Sequence, residues 1–285
     1  MRRGLVAAAA AAMTAMTAAG CAAGETDPVV EGTPPATPYS GPLYVAARNL
    51  DEDSARAVLL SAGAAGRAVE CDGEISSGEA GGEWGSGDGG ATPEEGLTAY
   101  FDMDGPNVPR HGYRVERREA ERVLFSYDVD GSTKVAVVVA KDRKNAPGWG
   151  PESSASCDPA ELPASFTDGL DLEIWTDADG HRVPTTTLSS YAGAEHCDWR
   201  SAHFLGMGRG KDVRQYVRDP EGVLESDSLT AAYDGKAQLP DDARDTGYRL
   251  GDRELWLTDD RSTAYVRTSD GVEAWPRARQ FIACR

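Results

Sequence analysis

The densest apolar pattern in the chain is RVLFSYDVDGSTKVAVVVA, Arg122 to Ala140, with Asp130-Gly131 between its two apolar runs. Asp-Gly is a favoured pair for a two-residue type I′ hairpin loop. With that loop, Val129 faces Ser132, Phe125 faces Ala136 and Val123 faces Val138. Leu124, Val135 and Val137 then fall on the opposite face. Both faces are apolar, so the pattern predicts a covering layer on each side. Upstream, Thr92-Pro93-Glu94-Glu95 carries a helix-start signature: a capping threonine, proline at the first helical position and a glutamate that completes a capping box. Leu97, Tyr100 and Phe101 follow at helical spacing, so a helix over 93–103 is the natural candidate for one layer. Asp51 to Ser61 predicts an earlier helix, with Ala55, Val58 and Leu59 on one face and Gly63 at its C-terminal end. YRVERR, from Tyr113, alternates as a strand.

Between these elements, Asp72 to Ala91 holds eight glycines and several acids and predicts a flexible loop. Trp84 lies inside it. An aromatic on such a loop is a weak candidate for ligand stacking; the competing expectation is that it folds back onto the domain. GWGPESSASCDPAEL predicts a strand ending at Cys157 and a short helical turn limited by Pro163. A boundary falls near 160–168. Beyond it the pattern is of short strands: AHFLGM, RQYVR, RELWLT and TAYVR. DLEIWTDADGHRVPTTTL repeats the hairpin logic around Asp179-Gly180, with Pro184 marking an edge strand. Tyr216-Val217-Arg218 with Gly222-Val223 recurs as Tyr265-Val266-Arg267 with Gly271-Val272, which suggests two similar hairpins in one sheet. The expected fold class is α+β and β-rich. Helices pack on antiparallel hairpins in a unit over 43–165, and antiparallel strands dominate a unit over 166–285.

The N-terminus reads differently. Met1-Arg2-Arg3 is cationic, Leu5 to Met16 is uncharged and alanine-rich, and Ala18-Ala19-Gly20 precedes Cys21. That order is a secretory signal peptide, 1–20. It is too short for a permanent span, which needs about 20 apolar residues. Ala18-Ala19-Gly20-Cys21 resembles the lipobox of bacterial lipoproteins, with Ala18 where leucine is usual. The resemblance implies that Cys21 receives diacylglycerol and becomes the first mature residue. An ordinary cut at an Ala-x-Ala-like site is the alternative. Residues 21–42 carry Pro28, Pro34, Pro35, Pro38 and Pro42 and few large apolar groups, and so predict a disordered tether. Two acyl chains hold a protein on a membrane where one does not. The expected location is therefore the outer face of the cytoplasmic membrane. Acylation of Cys21 leaves Cys71, Cys157, Cys197 and Cys284. Three pairings are open. Cys71–Cys157 with Cys197–Cys284 would staple each unit end to end; crossed bonds would require one continuous core.

The net charge is −18, from 29 basic and 47 acidic residues. A chain this acidic argues against nucleic acid as a partner, since such binding runs through basic patches. Chemistry is sparse. Asp128 to Gly131 and Asp177 to Gly180 have the look of calcium loops, but Val137 and Thr186 stand where the closing glutamate belongs, so both read as turns. His196, Cys197 and His203 could be drawn as zinc ligands, yet an exported chain more readily oxidises its cysteines. No metal or cofactor is expected, and no HExxH, GxSxG or Walker pattern occurs. The strings GRAVECDG, RVLFSYDVDG, ASCDPAEL and EHCDW together resemble lipoproteins of unknown function from high-GC Gram-positive bacteria. That resemblance implies export and an anchor and carries over no catalytic residue. Two function classes stand: a non-catalytic binding or interaction module with a protein or small-molecule partner, and a cell-envelope hydrolase with a dispersed site.

Overall fold

The computed structural model describes residues 28–284 except 33–36, 82–83, 85–86, 105–106, 144, 211–212 and 226. The fold is α+β and rich in antiparallel strands. Its first half contains α1 (Ala55–Ser61), α2 (Ala65–Ala68), β1 (Ile75–Ala80), α3 (Pro93–Asp104), β2 (Arg114–Arg118), β3 (Arg122–Val129), β4 (Ser132–Arg143) and β5 (Ala146–Cys157). The five strands form one antiparallel sheet in the order β1-β5-β4-β3-β2. Leu97, Tyr100 and Phe101 of α3 pack on Val123, Phe125, Val135, Val137 and Val139. The opposite face, Leu124, Ala136 and Val138, lies under Ala62, Ala65 and Ala68. The small residues are required there. A Cβ on Gly78 of β1 would stand 2.5 Å from the Ala62 Cβ.

Local chemistry explains the element ends. The Ser54 side chain accepts from Ala57 N, and Gly63 takes a positive φ of 56° just past α1. Thr92 Oγ1 accepts from Glu95 N at 3.2 Å, while the Glu95 carboxylate reaches back to Ala91 N. Asp130 and Gly131 both have positive φ, as a type I′ loop demands. The hairpin register departs from the expected one. Val129 pairs with Ser132, but a bulge between Tyr127 and Asp128 moves Phe125 opposite Val137 and Val123 opposite Val139. Phe125 thereby joins the valines 135, 137 and 139 on the α3 side instead of opposing them. Asp128, at the bulge, accepts two hydrogen bonds from Arg114 and one from Thr133 Oγ1.

Three further expectations are corrected. Asp72 to Ala91 is not one loop: Ile75–Ala80 forms β1 against β5, and Gly90 bridges Trp149. The described part of the Pro-rich 21–42 segment lies against the sheet. Val30 N donates to Tyr113 O at 2.7 Å, Tyr113 N to Pro28 O at 3.0 Å, and an Arg117 NH group to Gly41 O at 2.6 Å. Proline lacks an amide donor but keeps its carbonyl, so Pro28 can still bond the edge of a sheet. The 49-residue recurrence is divided between two sheets, as described next.

The second half contains α4 (Ala164–Thr167), β6 (Leu188–Ala192), β7 (His203–Met207), β8 (Arg214–Arg218), β9 (Arg244–Leu250), β10 (Arg253–Leu257), β11 (Thr263–Thr268) and β12 (Gly271–Pro276). Strands β6-β7-β8 form one antiparallel meander and β12-β11-β10-β9 another. Tyr216-Val217-Arg218 is β8 and Tyr265-Val266-Arg267 is β11, so the repeated strings sit in different sheets. Around Asp179-Gly180 there is a wider turn than a two-residue hairpin. Asp177 N donates to His181 O, and only the Thr176–Arg182 pair bridges. Pro184 starts a turn, its carbonyl accepting from Thr187 N and Leu188 N, and does not mark a strand. Leu188, Leu205 and Tyr216 from one meander meet Leu255, Val266 and Trp275 from the other in a shared core. The outer face of β7–β8, with Phe204 and Val217, is covered by Trp199, Leu229, Ala278 and Ile282.

Buried apolar clusters of the first half draw on residues up to Phe166, and those of the second begin at Trp175. The halves meet through polar contacts. Arg209 Nε donates to Asp53 at 2.8 Å, Thr185 Oγ1 to Asp158 at 2.9 Å, and Arg182 to Leu162 O and Thr167 Oγ1. Cys71 is bonded to Cys157 and Cys197 to Cys284, with Cα separations of 5.2 and 6.2 Å. Each bond thus lies within one half.

Candidate functional site: a cleft beside the C-terminal tail

Cys21, the residue expected to carry lipid, lies outside the described residues. Trp84 is buried, with 2% of its surface exposed, so it is no stacking platform. Its ring lies flat over Gly150, where a Cβ would come within 2.3 Å of it, and its Nε1 donates to Pro147 O at 3.2 Å. The histidines separate. His196 Nε2 is 3.0 Å from Cys284 Sγ, but that sulfur belongs to the disulfide with Cys197 and cannot act as a thiolate ligand. Asp177, Asp179 and His181 share one exposed turn, where the Asp177 carboxylate accepts from the amides of Asp179 and His181 at 2.9 Å.

His203 meets Glu173 instead. Its Nε2 lies 2.7 Å from Glu173 Oε2, and Ser190 Oγ donates to the same oxygen at 2.5 Å. Arg253 donates to Oε1 at 3.1 Å. Partial burial pushes the Glu173 carboxyl up, but the hydrogen bonds from His203 and Ser190 and the charges of His203 and Arg253 outweigh it. The result is a pKa lowered to about 2. Serine, histidine and glutamate are all present, yet their order is wrong for nucleophilic catalysis. A serine nucleophile must hydrogen-bond its base, whereas Ser190 and His203 both bond the carboxylate. Ser190 Oγ also accepts from Trp175 Nε1 at 2.8 Å, and Ser190 is fully buried. The group is a structural clamp joining 173, β6, β7 and β10.

Of two hollows of closely similar volume lined by described residues, one of about 490 Å³ lies against β1 and β5 and the other lies beside the C-terminal tail. The latter has a volume of about 510 Å³ and is open on one side. It is lined by Ser189 and Tyr191 of β6, by Gly206 of β7 with Gly208, Arg209 and Gly210 after it, and by Asp53, Val213 and Phe281. Gly206, Gly208 and Gly210 alternate through this lining. Gly208 and Gly210 hold positive φ of 89° and 61°, and a Cβ on Gly206 would press on Ser189 Oγ at 3.1 Å. The glycines therefore keep this lining low. Phe281 is the most exposed large apolar side chain described, at 60%.

The tail carrying Phe281 is held on both flanks. Ala278 N donates to Gln215 O at 2.8 Å. The Gln215 side chain accepts from Ile282 N at 2.8 Å and donates to Ile282 O and to the Tyr191 hydroxyl. The Cys197–Cys284 bond fixes its end. On the far side of Val213 and Phe281 a second hollow of about 180 Å³ opens, lined by Arg214, Arg277 and Arg279 with Gln215 and Gln280. The two hollows have Val213 and Phe281 in common among their lining residues.

Two stretches of the sequence stand out beside these hollows. GMGRG, 206–210, alternates glycine, and the last eleven residues, WPRARQFIACR, hold three arginines and no acid in a chain of net charge −18. In comparisons with protein-family models, curated proteins and solved structures, nothing matches the chain.

Proposed function

We propose that this protein is an exported lipoprotein, held at the outer face of the membrane through Cys21, that binds a ligand in the cleft beside its C-terminal tail. One observation carries the binding reading: a rigidly framed hollow of about 510 Å³ with an exposed phenylalanine on its rim. Pockets for small ligands run to a few hundred cubic ångströms or more and combine apolar walls with a few placed polar groups. Tyr191, Val213 and Phe281 are such walls, and Thr185, Ser189 and Arg209 are such polar groups. The resemblance of Ala18 to Cys21 to a lipobox supports the anchor, and the two disulfides agree with an oxidising compartment.

Two measurements test it. Fatty-acid labelling should mark the wild-type chain, and Cys21→Ser should move it from the membrane pellet to the soluble fraction; an unlabelled wild type overturns the anchor. For binding, amide spectra of the released Cys21→Ser protein are followed while small aromatic and alkyl probes are added. Shifts should concentrate at Ser189, Tyr191, Gly206, Gly208 and Phe281. Shifts confined to other parts of the fold overturn the site.

A further inference from the structure

We infer that the hollow of about 490 Å³ against β1 and β5 is a second binding site and that it takes a neutral saccharide. Hydroxyl groups of the sugar bond Ser77, Ser154 and Ser156, and a C–H face of its ring rests on Tyr100 and Val108. This hollow shares no lining residue with the one beside the tail, so neither site rests on the other.

The first ground is convergence. Residues directly opposite one another in an antiparallel ladder share a face of the sheet. Ser77 of β1 pairs with Ser156 of β5, and Glu79 with Ser154. In the next ladder Ser156 pairs with Val135 and Ser154 with Val137. Those valines pack under α3 in the cluster that also holds Tyr100 and Val108. The serines therefore stand on the α3 face. Gly78 and Ala155, which alternate with them, face Ala62 on the other side. On β4 the α3 face is valine and is covered. On β5 and β1 it turns to serine, and there the hollow opens.

The second ground is unused hydrogen-bonding capacity at depth. Ser154 is 7% exposed and Ser156 6%, so the base of the hollow is not an ordinary solvated sheet edge. Ser154 lines the hollow and makes no side-chain hydrogen bond among the described residues. A hydroxyl buried this far is costly to leave without a partner. Ser77 Oγ and Ser156 Oγ lie 2.8 Å apart. Their mutual bond uses one of the two hydroxyl hydrogens and leaves the other to donate further. A ligand hydroxyl both donates and accepts, so it can serve Ser154 and this pair alike. Both strands are held in the sheet, and little chain ordering would accompany binding.

The third ground is the chemistry of the remaining lining. No lysine or arginine lines the hollow, so an anion meets no opposite charge there. One carboxylate, Glu79, lines it, fewer than a hard cation requires. Tyr100, Val108 and Pro159 add apolar surface beside the serines. A pyranose ring is divided in the same way, with hydroxyls around its rim and C–H groups on its faces. A wholly apolar ligand would leave the serine hydroxyls unpaired. An open-chain polyol would bring hydroxyls without a preformed C–H face and would lose more internal freedom on binding. The volume is that of a small-ligand pocket.

The test uses the released Cys21→Ser protein and a panel of methyl glycosides and disaccharides of glucose, galactose, mannose and N-acetylglucosamine. Amide spectra are followed to millimolar sugar. At least one sugar should give saturable shifts at Ser77, Ser154, Ser156 and Val108 and leave Ser189, Tyr191 and Phe281 unmoved. Ser154→Ala should weaken that sugar about tenfold, the size of one hydrogen bond, with no loss of stability in urea. A serine with a purely structural role would change stability and not affinity. Ser77→Ala, at an exposed position, should weaken the same sugar several-fold and serves should Ser154→Ala disturb the fold. The 6-phosphate of the parent hexose should bind no tighter than the hexose, and its alditol should bind more weakly. Tighter binding of the phosphate, or equal binding of the alditol, overturns the neutral-saccharide assignment. Full affinity in both serine variants overturns the site. Absence of saturable shifts at β1 and β5 with every sugar in the panel overturns the inference outright. The hollow beside the tail is read at different amides, so its failure and this one are told apart.

Discussion

Glu173 shows how a single side chain can join separate elements. It precedes β6 by fifteen residues, yet its carboxylate gathers Ser190, His203 and Arg253. Because its pKa is lowered from 4.5 to about 2 in the fold, the folded state binds its proton less readily than the unfolded chain does. The stability it adds is fully present above about 4.5 and is lost as pH falls from there towards about 2. After allowance for its partial exposure, that contribution is on the order of 2 kcal/mol. Urea titrations at stepped pH should therefore show a fall in stability across that window that is shallower in Glu173→Gln. Equal slopes for the two proteins would remove Glu173 from this role. Lys134 is the corresponding buried cation in the first half. Burial alone would push its pKa down, but the Glu161 and Asp72 carboxylates bond its Nζ at 2.8 and 3.0 Å and hold it above its usual value.

At the scale of elements, the two ends of β4 and β5 follow different rules. The β3–β4 turn obeys its two residues, Asp130 and Gly131. The β5 end obeys a contact across the sheet, where Trp84 lies on Gly150 and Gly148 takes a positive φ of 82° beside Gly89. Any side chain at 150 must displace the indole. Gly150→Ala should cost about 1–3 kcal/mol, the range for overpacked cores, and Trp84→Ala about 3 kcal/mol or more through the cavity it leaves. In the double variant the two losses should not add, because the alanine at 150 then fills space the indole has vacated. Chemical denaturation of the three variants checks this; simple additivity would mean that the two residues do not touch.

For the whole molecule, the division of the buried clusters makes a prediction about the disulfides. Each bond closes a long loop, 86 residues for Cys71–Cys157 and 87 for Cys197–Cys284. Chain entropy values such a loop at roughly 4–5 kcal/mol. Since each bond lies within one half, Cys71→Ser with Cys157→Ser should lower hydrogen-exchange protection in β1 to β5 and leave β9 to β12 near wild type. Cys197→Ser with Cys284→Ser should do the reverse and loosen the tail that carries Phe281. Loss of protection throughout the molecule in either variant would show that the polar contacts between halves, Arg209 with Asp53 and Thr185 with Asp158, bind the two cores into one cooperative unit.

The features legible in the sequence are those decided within a few residues. Thr92 to Glu95 starts a helix, Asp130-Gly131 turns a hairpin, and the apolar content of both strand faces demands a layer above and below. The nearly equal separations of Cys71 from Cys157 and of Cys197 from Cys284, 86 and 87 residues, match the bonds the fold contains for a similar reason, since each half closes on itself. What tertiary structure alone decided depends on partners far apart in the chain. The bulge at Tyr127–Asp128, where Arg114 bonds Asp128, reversed the face on which Phe125 lies. Ile75 to Ala80, which lies in a glycine-rich stretch and holds one large apolar residue, is a strand because it pairs with β5, where Gly78 leaves room for Ala62. Trp84 is buried because Gly150 leaves room for its ring. The cleft was least legible of all. Its glycines stand in plain view in the sequence, but they acquire meaning only when β6, the turn after β7 and the C-terminal tail are brought together. Local propensity cannot report a contact between Tyr191 and a glutamine at 215, or place Phe281 beside Val213; burial and long-range hydrogen bonding do.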